Sequence, residues 1–146
     1  MKKIKLLVVF LFVSVMVNAQ EVIHTQVPST FTEGLLQAYP DAKDIEWERS
    51  NNDYKVAFKS GLLERKIYFN RNGDQVKIEA EMSKTTLPTK LATAIRKDYA
   101  GYKIDSVHSI YKNGITTYEV VLAKEGWVQE VELTYSEAGN LLDSKS

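Results

Sequence analysis

Two stretches of the chain, VPSTFTEGLLQAYP at residues 27–40 and LPTKLATAIRKDYA at residues 87–100, decide the fold because they are two versions of one segment. Each begins with an apolar residue and a proline, and the two lie 60 residues apart. The apolar residues that recur in step are Phe31 with Leu91, Leu35 with Ile95, and Tyr39 with Tyr99. The sequence therefore predicts two copies of one structural unit.

Later landmarks extend the match between the two copies. DYKVAF at 53–58 corresponds to TYEVVL at 117–122, and FNRNG at 69–73 corresponds to YSEAG at 135–139. The offset grows from 60 to 64 to 66 residues, so the second copy carries insertions, which we expect in hairpin loops. We place the first copy at 27–84 and the second at 85–146, after a polar lead-in at 20–26.

Each copy is predicted to start with a helix and continue with four strands. Proline is tolerated at the first helical position because its missing amide hydrogen has no partner there, and the apolar residues that follow are three and four apart. Beyond Tyr39 and Tyr99 the period changes to two, which is typical of strands with one buried and one wet face. The predicted strands lie around Ile45–Trp47, Tyr54–Phe58, Leu63–Phe69, Val76–Met82, Ile104–Tyr111, Thr116–Ala123, Trp127–Tyr135 and Asn140–Ser144. The predicted fold class is α+β: two tandem repeats of one helix and a four-stranded antiparallel sheet, with the helices packed on one face of the sheet.

The first nineteen residues have the pattern of a secretory signal. Lys2, Lys3 and Lys5 precede an apolar run that ends near Val17, and small residues lead to Ala19. The run is shorter than the roughly 20 apolar residues that span a membrane, so we expect cleavage after Ala19 and no membrane in the mature form. The predicted location is periplasmic or secreted.

Composition excludes several classes of function. With the leader removed, 16 basic residues face 19 acidic ones, a net charge of −3, and no basic cluster suits nucleic acid. The chain has no cysteine, which rules out disulfides and thiolate chemistry. We predict no cofactor.

The stretch FNRNGDQVKIEAEM at residues 69–82 has two interpretations. As a calcium loop it would use Asn70, Asn72 and Glu79, but Tyr68 stands where the first acidic ligand belongs. As a hairpin turn it needs only residues that tolerate positive φ, which Asn72 and Gly73 do. We favour the turn and regard weak calcium binding as the less favoured alternative.

No catalytic group is predicted. His24 and His108 are interpreted as structural or exposed, and no nucleophile-elbow or phosphate-loop motif occurs. A cleft holding His108 beside two carboxylates would favour an enzyme instead.

The candidate partner-binding residues are two tyrosines and two pairs of glutamates. Residues two apart on a strand share a face, so each glutamate pair is expected on the solvent side of the sheet. Two tyrosines fall off the apolar phase or beside a turn, and exposed tyrosines are favoured anchors for a protein partner. The candidates are Tyr68, Tyr111, Glu46, Glu48, Glu130 and Glu132.

The ordered motifs VPSTFTEGLLQAYPDA, IEWE, DYKVAF and YFNRNG resemble the PepSY-like, β-lactamase-inhibitor-like periplasmic proteins of bacterial envelopes. The second half repeats them in degraded form, with Ala100 in place of the proline and Asp105 to Val107 in place of the IEW. The resemblance implies a tandem duplication with helices on one side of an antiparallel sheet. It carries no functional residues to this chain.

Two functions remain in competition. The first is an exported, non-catalytic binding module that meets an envelope protein through its exposed sheet face, inhibitor-like toward a peptidase or other hydrolase. The second is a small-ligand or calcium-responsive periplasmic sensor.

Overall fold

The computed structural model describes residues 26–50 and 53–146. The predicted leader at 1–19, most of the lead-in, and His24 lie outside these residues. In chain order the elements are α1 (Ser29–Ala38), β1 (Lys43–Ser50), β2 (Asp53–Ser60), β3 (Leu63–Phe69), β4 (Gln75–Glu81), α2 (Thr89–Asp98), β5 (Lys103–Lys112), β6 (Ile115–Ala123), β7 (Val131–Ser136) and β8 (Leu141–Lys145). Neither described helix is long and apolar enough to cross a membrane.

All eight strands form one sheet, in which each strand pairs antiparallel with its neighbour in the sequence. The two sets of four strands are therefore not separate sheets, as two tandem units would suggest. They join where β4 pairs with β5, from Lys77 opposite Lys112 to Glu81 opposite His108. Joining the sets satisfies backbone groups that two separate edges would leave unpaired.

The two helices begin after equivalent prolines and pack on the same side of the sheet. Pro28 and Pro88 are the N-cap residues, so each helix starts one residue later than the sequence pattern predicts. Leu35 is the buried residue of α1, whereas α2 buries both Leu91 and Ile95. Helix α2 is thus seated more deeply than α1.

The core lies between the helices and the sheet and has one part under each helix. The core under α1 consists of Leu35 from the helix and Val56, Phe58 and Ile67 from the sheet. The core under α2 consists of Leu91 and Ile95 from the helix and, from the sheet, Val107, Tyr118, Val120, Leu122, Leu133 and Tyr135. At roughly 25 cal/mol per Å² of apolar surface, this burial is the main contribution that holds the helices on the sheet.

Two predictions about the second half are wrong. Strand β7 begins at Val131 rather than at Trp127, because a turn in which the Trp127 amide donates to the Lys124 carbonyl, at 3.0 Å, interrupts the extended chain. Trp127 is consequently 59% exposed. The first insertion, which raises the offset between the copies from 60 to 64 residues, was predicted to lie in a hairpin loop. It instead lengthens strands β5 and β6, because the turn between them has only the two residues Asn113 and Gly114, at φ 52° and 78°.

Candidate functional site

One side of the sheet carries both described helices and the opposite side, which we call the open face, carries neither. Val56 pairs with Ile67 in the core under α1, and the adjacent pair, Lys55 with Tyr68, points the other way. Side chains on the open face include Glu46, Glu48, Lys55, Lys66, Tyr68, Lys77, Glu79, Glu81, His108, Glu119, Glu132, Thr134 and Asp143.

Tyr68 lies on the open face, on β3, the third of the eight strands, and is held by two neighbours. Its hydroxyl donates to Glu79 Oε2 at 3.2 Å, and Lys77 Nζ sits over its ring, 5.0 Å from the centroid. Lys77 also forms an ion pair with Glu79. The tyrosine ring is thus fixed in position, which lowers the entropy it would lose on contacting a partner.

The same contacts shift the titration of both groups. Partial burial and the Glu79 carboxylate raise the pKa of Tyr68 above its ordinary value. For Glu79, partial burial pushes the pKa upward, but the hydrogen bond and charge of Lys77, together with the Tyr68 hydroxyl, outweigh it and leave the pKa lowered. Near neutral pH the pair is therefore a neutral phenol donating to a carboxylate.

The predicted glutamates of β1 are on the open face. Glu48 pairs with Lys55 at 2.7 Å between Nζ and Oε2, whereas Glu46 lies opposite Ala57 and is exposed. At the start of β1 the register shifts between Lys43 and Glu46, and Asp44 has a φ of 52°. This irregularity interrupts the ladder at the outer edge of the sheet.

The other predicted partner-binding residues do not all share this face. Glu132 is on the open face, opposite Val121, but Glu130 precedes β7, so strand geometry does not align the two. Tyr111 pairs with Ile78, a residue of the core under α1. Tyr111 therefore lies on the helix-bearing side, 45% exposed, and cannot contact a partner together with Tyr68 on the open face.

The sheet register aligns a row of polar side chains that local sequence patterns did not reveal. Glu81 pairs with His108, His108 with Glu119, Glu119 with Thr134, and Thr134 with Asp143. The last four line a depression of about 230 Å³. The row links strands β4 to β8, and no spacing within one strand could have predicted it.

His108 thus stands between two carboxylates, which is the arrangement that would favour an enzyme. One of them, Glu81, already accepts a hydrogen bond from the Glu64 amide at 3.1 Å. Within residues 26–50 and 53–146 no ion pair involves His108, and no group of three or more acidic or histidine side chains is placed to hold a metal. The row also lies on a sheet surface that neither described helix covers, whereas general acid–base catalysis favours a water-excluding cleft.

The stretch after β3 forms the predicted turn. Asn70 Oδ1 accepts hydrogen bonds from the amides of Asn72 and Asp74, both at 2.9 Å, and Gly73 has a φ of 89°. The oxygen that a calcium ion would need from Asn70 is used by the turn itself, and the Glu79 carboxylate contacts Lys77 and Tyr68. Calcium binding stays a prediction, which the melting temperature with and without millimolar calcium tests.

Comparison with known proteins gives the family. The sequence profile described as "putative beta-lactamase-inhibitor-like, PepSY-like" matches residues 14–73 and 52–143. The chain therefore belongs to this family, and the two matches, which overlap at residues 52–73, agree with the internal duplication. The resemblance noted in the sequence motifs is confirmed.

Solved structures share the fold. A BLIP-like protein from Bacteroides fragilis has 24% identity and a TM-score of 0.66, covering 83% of this chain and 86% of that chain. A DUF2874 family protein from Bacteroides ovatus has 18% identity and a TM-score of 0.68, covering 83% and 88%. A structure described as "putative periplasmic proteins" from Bacteroides eggerthii has 14% identity and a TM-score of 0.69, covering 83% and 89%. Among curated proteins, no sequence matches.

Proposed function

We propose that the protein is an exported, non-catalytic binding module of the bacterial envelope whose open face binds another envelope protein. The observation that carries the proposal is that this face spans eight antiparallel strands, is covered by neither described helix, and holds Tyr68 in a fixed position. Eight strands at roughly 4.8 Å spacing give a surface more than 30 Å wide, which suits a protein better than a small molecule.

The charges of the open face favour a basic partner. Lys55 and Lys77 are neutralised by Glu48 and Glu79. The carboxylates of the open face that form no ion pair with another described residue are Glu46, Glu64, Glu81, Glu119, Glu132 and Asp143. They outnumber the lysines of that face that form none, such as Lys66, Lys112 and Lys145. A partner with lysine or arginine side chains would be attracted to this surface and oriented on it.

Family and leader are consistent with this role. The family description and the name of the Bacteroides fragilis neighbour both refer to inhibitors, and a hydrolase of the envelope is the corresponding class of partner. The predicted leader at 1–19 supports a location of the complex outside the cytoplasm, and the neighbour described as "putative periplasmic proteins" agrees with it.

Affinity capture from an envelope extract with three matched baits tests the proposal. The baits are the chain from Gln20, a Glu119→Lys variant, and a Glu33→Lys variant whose exposed charge lies on α1, on the other side of the sheet. We expect one protein to be retained by the first and third baits and lost from the second, because only Glu119 lies on the open face. Equal retention by all three folded baits would contradict the proposal.

A further inference from the structure

A groove runs beside α1 on the helix-bearing side, away from the open face. It has a volume of about 440 Å³. Its walls come from α1 and from β3 and β4 with the turn between them, and include Phe31, Gly34, Tyr39, Phe69 and Gln75. Cavities that bind small molecules are typically roughly 300–1,000 Å³ and mostly apolar.

The groove is a property of the first half rather than a by-product of the fold. In the second half α2 lies directly on the β7–β8 turn, where a Cβ added to Gly139 would be 2.9 Å from the Lys90 carbonyl oxygen. At the equivalent turn of the first half, a Cβ on Gly73 would instead meet the ring of Phe31, at 3.3 Å. The larger side chain at position 31, where the second copy has Leu91, holds α1 away from the sheet.

Small residues on α1 keep the groove open. A Cβ added to Gly34 would meet nothing within 4 Å, although this position is inside a helix and faces the groove. The second copy has Ala94 at this position, and it packs against the core under α2. Glycine weakens a helix interior relative to alanine, so the empty space here has a cost in stability.

The lining specifies the chemistry of an occupant. None of the described residues that line the groove is charged. The polar side chains are Thr30, Asn72 and Gln75, near the start of α1 and the β3–β4 turn, and the phenol of Tyr39, just after the end of α1. Phe31 and Phe69 form an aromatic wall with ring centroids 5.7 Å apart. An ionic ligand would lose its hydration there without a compensating charge.

We propose that this groove binds a neutral, largely apolar small molecule with an aromatic or similarly flat body and one uncharged polar end. The flat body packs against Phe31 and Phe69, and the polar end lies beside Asn72 and Gln75. This site is independent of the protein partner proposed for the open face, which is formed by the opposite side of the sheet.

The test uses the chain from Gln20 carrying Trp127→Phe, so that Trp47 is its one remaining tryptophan. Trp47 lies 5.9 Å from Phe69 and 6.0 Å from Phe31 between ring centroids, next to the groove wall. The neutral dye N-phenylnaphthylamine is titrated while dye emission and Trp47 emission are followed. We expect saturable binding in which dye emission rises and Trp47 emission falls.

Two further variants locate the dye. Gly34→Leu fills the groove, and we expect at least a tenfold loss of affinity; leucine is a good helix former, so folding is not at risk. Glu33→Leu adds the same side chain at the adjacent exposed helix position, and we expect affinity to be unchanged. Equal affinity in all variants, or no saturable binding by the parent chain, would overturn the proposal.

The lead-in at 20–25 is the competing occupant, since residues 26–28 connect it to the start of α1, where Thr30 and Phe31 line the groove. A chain that starts at Gln26 distinguishes the two. Equal dye affinity with and without residues 20–25 supports a small-molecule site. Binding that occurs only in the shorter chain would mean that the protein's own segment covers the groove, which contradicts the proposal.

Discussion

The hydroxyl of Tyr68 donates a hydrogen bond of 3.2 Å to the carboxylate of Glu79 on the neighbouring strand, on the face that neither described helix covers. Lys77 contacts both residues, through the ring of the first and the carboxylate of the second. This three-residue arrangement fixes a large amphipathic side chain on the surface proposed to bind a partner.

The coupling between Tyr68 and Glu79 is measurable by a double-mutant cycle with Tyr68→Phe and Glu79→Gln. We expect an interaction free energy of about 1 kcal/mol, because the acceptor is charged and partly buried. Urea unfolding gives the four stabilities. The exposed pair Lys59 and Asp44, at 3.2 Å, is the control, with about 0–0.5 kcal/mol expected. A coupling for Tyr68 and Glu79 no larger than the control would contradict this description.

Glu79 should contribute to the loss of stability in acid. Burial opposes ionisation, but Lys77 and Tyr68 outweigh it, so the pKa of Glu79 in the folded protein is below the reference value of 4.5. A lowered folded pKa means that its contribution is present above pH 4.5 and is lost as the pH falls through the folded pKa. We expect Glu79→Gln to flatten the decline of the unfolding free energy below pH 4.5. An unchanged slope in that range would show that the ion pair is too weak to matter.

The close contact of α2 with the β7–β8 turn predicts a large effect of Gly139→Ala. The φ of Gly139 is +83°, which costs an alanine about 1–2 kcal/mol, and the new methyl group would also collide with the Lys90 carbonyl at 2.9 Å. Gly114→Ala is the matched control, because Gly114 has a φ of +78° and nothing within 4 Å of the added atom. We expect Gly139→Ala to lose about 1–2 kcal/mol more than the control in chemical unfolding. Equal losses of stability in the two variants would contradict the close contact between α2 and the β7–β8 turn.

The hydroxyl of Tyr135 has no hydrogen-bond partner among the described residues, although this side chain is 0% exposed. The first copy has Phe69 at the equivalent position. Since an unsatisfied buried hydroxyl costs about 1–3 kcal/mol, we expect Tyr135→Phe to raise the unfolding free energy by about 1 kcal/mol. Tyr118→Phe, on the adjacent strand, removes a hydroxyl that is not among the buried groups lacking a hydrogen-bond partner. It should therefore change the unfolding free energy little. A loss of stability in Tyr135→Phe would indicate a partner such as a buried water.

Local periodicity was sufficient to predict the helices and most strands, because the spacing of apolar residues over one element indicates which side chains share its buried face. It misplaced Tyr111. The register shifts between Ile104 and Ser106, so Ile104 and Val107 both belong to the core under α2 although they are an odd number of residues apart. Counting by twos from Ile104 therefore assigns Tyr111 to the wrong face. A β-bulge is set by pairing with the next strand and leaves no clear mark in one sequence.

Features that depend on distant pairing could not be predicted. The row from Glu81 through His108 to Glu119 requires the register between β4 and β5, which are separated by the whole of α2. The groove beside α1 depends on the difference between Phe31 and Leu91 in the depth at which each helix sits. The sequence shows that these residues differ, but only the packed structure shows the space that results.

The central claim, that a partner binds the face opposite the helices, is tested most directly by photo-cross-linking from two adjacent positions of β6. Thr117 pairs with Ile110 on the open face, whereas Thr116 pairs with Tyr111 on the helix-bearing side. A photoreactive amino acid is placed at one position or the other, and the folded protein is irradiated with an envelope extract. We expect a single cross-linked partner from position 117 and none from position 116. A partner cross-linked from position 116 alone, or no adduct from either position, would contradict the claim.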